Sequence, residues 1–268
     1  MGLLASLGMY DQPWLQQAND AIWAVLARQL RLLGVAAPGR LERTRTLGEI
    51  WLDPDLLLGQ TCGYPLVTFL AGRVRMVATP CYDTPYTDGP DYRSVIVVRA
   101  DGGPISLAGL RGARAAVNEA TSNSGMNFLR AVVAPLARRG RFFSTVRYTG
   151  AHIASMAAVA AGEADVAAID GVTFTLTARH RPDLVAGLRI LTQSPSVPGL
   201  PLVTRPDAPD DLVATLRAAL DGVIAEPTLA PARAALGLVG FAQVPPERYQ
   251  AILDLEAEAA RLGYPILG

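Results

Sequence analysis

Thr121, Ser122, Asn123 and Ser124 place four hydroxyl- or amide-bearing side chains in a row, followed by Gly125 and the amphipathic stretch 126–138. A helix that starts on such residues presents hydroxyls together with backbone N–H groups that have no intrahelical acceptor. The positive end of the helix dipole adds to them. This combination suits a phosphate-, phosphonate- or carboxylate-like group. The plainer reading is N-capping, for which one serine or asparagine is enough. Ser122, Asn123, Ser124 and Gly125 are therefore candidate anion-binding residues.

The run Tyr148-Thr149-Gly150-Ala151-His152 repeats the pattern after the next apolar segment, with Ser155 three residues further on the same helix face. His152 and Ser155 are ligand candidates; the alternative is a histidine that caps or packs. Asp170 closes the apolar run 164–169 and suits either a ligand amine or hydroxyl or the N-cap of a following helix. Tyr10, Thr61 and Cys62 occupy comparable junctions in the first part of the chain, positions from which they can face the other donors across a cleft. Tyr82 and Tyr86, among prolines, are weaker candidates. Ser124, His152 and Asp170 have the residue types of a hydrolytic triad, but no G-x-S-x-G elbow accompanies them and triads are defined by geometry.

The elements that must hold these residues alternate. Residues 3–9 are short and apolar, and 14–33 carry apolar positions at helical spacing with Gly34 as a stop. Strand-like runs at 56–58, 74–78, 94–98, 113–117, 143–148 and 164–169 are interleaved with helices near 64–71, 124–138, 152–161 and 246–262. Near-continuous apolar strands between amphipathic helices predict mainly parallel sheets covered on both faces. Two proline-rich passages, 80–90 and 194–201, read as crossings between lobes. The expected division is 1–91 with 200–268 as the first lobe and 92–199 as an inserted, anion-binding second lobe.

Composition narrows the chemistry. Of 268 residues, 50% are apolar and 18% charged, enough to bury a substantial core. The 24 basic and 24 acidic residues cancel without a charged run, which argues against a nucleic-acid partner. Every basic residue is arginine. Without lysine, Schiff-base, pyridoxal-phosphate and P-loop chemistry are excluded. Two histidines are too few for a histidine-rich metal site, so neither metal nor cofactor is expected. Cys62 and Cys81 are too few for a disulfide framework and read as two small thiols, with a single bridge left open. No apolar run is long enough for direct membrane insertion. The sequence begins without a basic segment and long apolar stretch, so it carries no export signal as written.

The segment 105–112, the 121–125 run, and Thr149 to His152 continuing through Ser155, Ala158, Gly162, Asp165 and Asp170 together resemble the substrate-binding proteins of phosphate/phosphonate-type ABC transporters. These belong to the type-2 periplasmic-binding-protein superfamily. The resemblance covers most of the chain and is strongest over 92–201. It implies an α/β, two-lobed clamp that closes on a small anionic ligand without catalysis, with an ABC permease as partner. It implies that residues 122–125 hold the anion and His152 hydrogen-bonds it. Tyr10, Thr61 and Cys62 would close from the first lobe, and Asp170 would read the ligand's other end. Such proteins work outside the cytoplasm; a chain complete as written is expected inside it. Ala151 stands where a hydroxyl residue is expected. Thiamine-precursor synthases of similar fold supply an enzymatic alternative, but their cysteine-rich segment has no counterpart here, and a ligand sensor is a further one.

Overall fold

The computed structural model describes residues 2–268. The chain opens with β1 (Leu4–Ser6), α1 (Gln16–Leu32), α2 (Leu47–Trp51), β2 (Leu56–Gln60), α3 (Gly63–Val67) and β3 (Arg75–Tyr82). Short strands β4 (Thr87–Asp88) and β5 (Asp91–Tyr92) lead into β6 (Ser94–Arg99), β7 (Arg114–Val117), α4 (Phe128–Val133) and β8 (Thr145–Tyr148). Then come α5 (His152–Ala160), β9 (Val166–Asp170), α6 (Gly171–His180), β10 (Leu188–Gln193) and β11 (Val197–Pro198). The chain finishes with β12 (Leu202–Thr204), α7 (Asp210–Ala225), α8 (Ala230–Leu236), β13 (Leu238–Ala242) and α9 (Gln250–Arg261).

These elements form two compact units. The first comprises Met1–Asp83, Asp88–Pro90 and Pro198–Pro246; the second comprises Thr84–Thr87, Asp91–Val197 and Glu247–Gly268. The C-terminal helix therefore packs with the second unit, where the division expected from sequence left it in the first. The cause is a polar and apolar anchor that no local pattern announces. Ile252 is fully buried, and its carbonyl accepts from Asn127 Nδ2 at 3.1 Å, which docks α9 on α4.

In the first unit the sheet order is β1-β2-β12-β3-β13. β1 and β2 run parallel, whereas β12 is antiparallel to both β2 and β3, and β13 is antiparallel to β3. In the second unit the order is β10-β6-β9-β7-β8, with β7 parallel to β8 and β9 but β6 antiparallel to β9 and β10. Both sheets are thus mixed, not mainly parallel. The fully buried runs of β2 and β9 reveal that both faces are covered, and coverage does not fix strand direction. Leu216, Leu220 and Val223 of α7 and Met156 and Val159 of α5 supply part of that cover. Each such side chain contributes about 1.5–3 kcal/mol on burial.

Arg114 and Asp165 pin the far end of β7 by a forked pair, Nη2 to Oδ1 at 2.8 Å and Nε to Oδ2 at 3.0 Å. Both Cys62 and Cys81 are free thiols. No helix among the described residues is long and apolar enough to cross a membrane.

Candidate anion-binding site

β7 ends at Val117, and six residues later the chain enters a π-helical turn, Asn123–Asn127, continuous with α4. The helix expected from 124 begins as this wider turn and stops short of 138. The N–H groups of Met126 and Asn127 both bond to the Ser122 carbonyl, at 3.2 and 3.0 Å, which opens the first turn. Ser122 is the N-cap, and its Oγ accepts from Gly125 N at 2.9 Å. Capping is thus done by one residue, and the others are left for a different task. Ser122 Oγ lies 3.3 Å from Ser124 Oγ, which in turn lies 2.8 Å from His152 Nε2. Asn123 points elsewhere, its Nδ2 donating to the Tyr92 hydroxyl at 3.0 Å.

Gly125 is required by close approach. A Cβ there would stand 1.8 Å from Asn118 Oδ1 and 3.3 Å from Ser122 Oγ.

His152 opens α5, and the N-cap Ala151 offers no side-chain bond, as its methyl group dictates. Burial pushes the imidazole down to about 4, against a smaller opposing effect of the Ala168 backbone, so the ring is neutral at pH 7. Its Nδ1 is buried and has no carboxylate partner among the described residues. Asp170 Oδ1 accepts instead from Thr173 N at 2.9 Å and caps α6. Ser124, His152 and Asp170 therefore do not assemble as a triad. Ser155, fully buried, is engaged by Thr149, with the two hydroxyl oxygens 2.6 Å apart.

The donor set around 122–125 is neutral: hydroxyls, backbone N–H groups and an uncharged imidazole. The partners of Ser122, Asn123 and Ser124 named above, among the described residues, are hydroxyls, an imidazole and a backbone N–H, all uncharged. No cluster of His, Cys, Asp and Glu that could hold a metal occurs among those residues.

In the first unit, Tyr10 is buried with its ring edge-on to Tyr82 at 5.1 Å. Both border a small apolar cavity of about 40 Å³, which Gln60 and several leucines complete. Thr61 follows β2, its N–H bonded to Pro201 O at 3.0 Å and its hydroxyl to the Cys62 carbonyl at 3.3 Å. Cys62 is the N-cap of the five-residue α3 and makes no side-chain capping bond. Asp11, beside Tyr10, is held by Arg43 at 2.5 Å.

The profile of a family described as ABC transporter, phosphonate, periplasmic substrate-binding protein matches residues 55–249. The chain belongs to this family. Its role is solute binding, and the family consists of substrate-binding proteins that work with ABC permeases.

Solved structures agree on the fold. A binding protein component of an ABC phosphonate transporter from Pseudomonas aeruginosa aligns with a TM-score of 0.78 at 17% identity, over 97% of this chain and 87% of that one. PhnD1 from Prochlorococcus marinus in complex with methylphosphonate aligns with a TM-score of 0.75 at 15% identity, over 97% and 98%. A Xanthomonas citri protein bound to ATP gives 0.70 at 18% identity, over 98% of each chain. No curated protein matches the chain.

Within this family fold, three participants escaped the sequence reading. Tyr92 is 2% exposed and receives Asn123, yet it lies just past the proline-rich passage 80–90 and was not among the candidates. Asn118 crowds Gly125 from the end of β7. Gln60 reaches Tyr82 OH at 3.4 Å and Leu200 O at 3.2 Å; a polar residue ending an apolar strand was the available signal.

Proposed function

We propose that this substrate-binding protein captures a small oxyanion, phosphonate- or phosphate-like, at the 122–125 turn of its second unit and hands it unchanged to an ABC permease. The observation that carries the reading is the Ser124–His152 pair, 2.8 Å apart at the start of a buried helix. An arriving oxyanion accepts a hydrogen bond from the Ser124 hydroxyl and, with Nε2 protonated, another from the imidazole N–H, in place of the bond these two make to each other. The Ser124 backbone N–H, in the first turn, where intrahelical acceptors are lacking, completes the shell. Neutral donors of this kind bind an anion by directed hydrogen bonds in a dry site.

Asp170 of the same unit is proposed as a contact to the ligand's other end.

Thermal unfolding with methylphosphonate, phosphate, methanesulfonate and acetate tests the reading. A true ligand at about 100 times its Kd stabilises the fold by about 2.7 kcal/mol and is recovered chemically intact. If none of the four raises the melting temperature, the oxyanion assignment fails; if the ligand returns as a product, binding without turnover fails.

A further inference from the structure

Behind the 122–125 turn runs a chain of buried polar side chains that ligand contact does not explain. Asn123 and Asn127 are wholly buried and Arg130 is 4% exposed. Arg130 Nη2 donates to Asn127 Oδ1 at 2.7 Å, while Nη1 donates to Pro265 O at 2.8 Å and to Glu256 Oε1 at 3.2 Å. Its Nε has no hydrogen-bond partner among the described residues. Asn127 Nδ2 donates to Asn123 Oδ1 at 2.9 Å and to the Ile252 carbonyl at 3.1 Å, and Asn123 Nδ2 donates to the Tyr92 hydroxyl oxygen.

All these bonds point one way, set by the arginine together with the Ile252 carbonyl, which only accepts. A guanidinium only donates, whereas a carboxamide can present either end. Arg130 therefore obliges Asn127 to turn its oxygen inward, which sends the Asn127 amide hydrogens to Asn123. Asn123 must then offer its oxygen to Asn127 and its amide hydrogens to Tyr92. Each bond in such a series polarises the next. Asn123 and Asn127 are the two ends of the π-helical turn, so the orientation set at Arg130 is the orientation of the turn itself.

We propose that Arg130 is a positioning residue of the anion site: by its obligatory donation it fixes both amides and holds the 122–125 donors in one arrangement, without touching the ligand. This rests on the anion reading given above.

The test is calorimetric titration of the full chain with methylphosphonate, far below the unfolding temperature, for the wild type, Arg130→Lys, Arg130→Gln and Arg130→Met. An ammonium also only donates, whereas a glutamine amide restores length and polarity but not direction. The expected result is binding about tenfold weaker in Arg130→Gln and Arg130→Met, with Arg130→Lys within about threefold of wild type. Should Arg130→Met fail to fold, the lysine and glutamine variants still decide. Wild-type affinity in Arg130→Gln, or equal losses in the lysine and glutamine variants, overturns the proposal. Failure of the wild type to bind any of the four anions overturns the ligand reading itself, a separate outcome.

Discussion

Two strand-to-helix junctions, one in each unit, began with similar residues and ended differently. After β7, a serine caps the helix and a second serine is freed to meet His152 at 2.8 Å. After β2, the Thr61 hydroxyl is turned onto the Cys62 carbonyl, Cys62 makes no side-chain cap, and α3 lasts five residues. The first junction is a continuous helix backed by buried amides and a buried cation; the second is a short turn beside an apolar cavity. On the proposed reading, a strand end rich in hydroxyls can serve an anion where a longer helix and a supporting polar shell hold its donors toward one point.

The largest expected effect comes from closing the first junction. Gly125→Ala drives a methyl group into Asn118 and Ser122. We expect a stability loss of about 1–3 kcal/mol and no measurable methylphosphonate binding by titration calorimetry. Unchanged binding would mean the turn does not carry the ligand. Ser124→Ala removes the hydroxyl alone; Kd should rise by roughly tenfold or more, in keeping with about 1.5–3 kcal/mol for a hydrogen bond to a charged group.

His152 sharpens the contrast through pH. Its pKa in the fold is about 4 against an ordinary 6.5, so between these values the unfolded chain binds a proton that the folded chain refuses. Stability is then constant, as far as this group is concerned, above about pH 6.5 and falls as pH drops toward 4. Urea unfolding at several pH values should display that loss in the wild type and a shallower one in His152→Gln. Equal slopes would mean that the imidazole is not held neutral. The smallest effect belongs to the second junction. Thr61→Val should cost about 1 kcal/mol of stability or less while leaving Kd within about threefold. A loss of affinity matching that of Ser124→Ala would erase the distinction between the junctions.

Much of this was readable along the chain. The 121–125 run, the His152 helix start and the Asp170 cap each depend on local composition, and local composition governs capping and helix initiation. Strand direction was not readable, because β2 and β9 are buried on both faces whichever way their neighbours run. β10 and β13 also went unnoticed. β10 interleaves polar with apolar residues and is only partly buried, whereas β13 is apolar throughout but short, and its pairing with β3 is what makes it a strand.

The sequence by itself determined that donors gather at helix starts, that no lysine chemistry is available, and that α/β elements alternate, since each of these is a property of residue type and near-neighbour spacing. Tertiary structure decided which hydroxyl caps and which faces His152, that Asp170 serves α6 and not the imidazole, and that α9 returns to brace α4 and Arg130. Those outcomes rest on contacts between residues up to 135 positions apart, and the orientation of a buried amide is fixed by whichever donor the fold places against it.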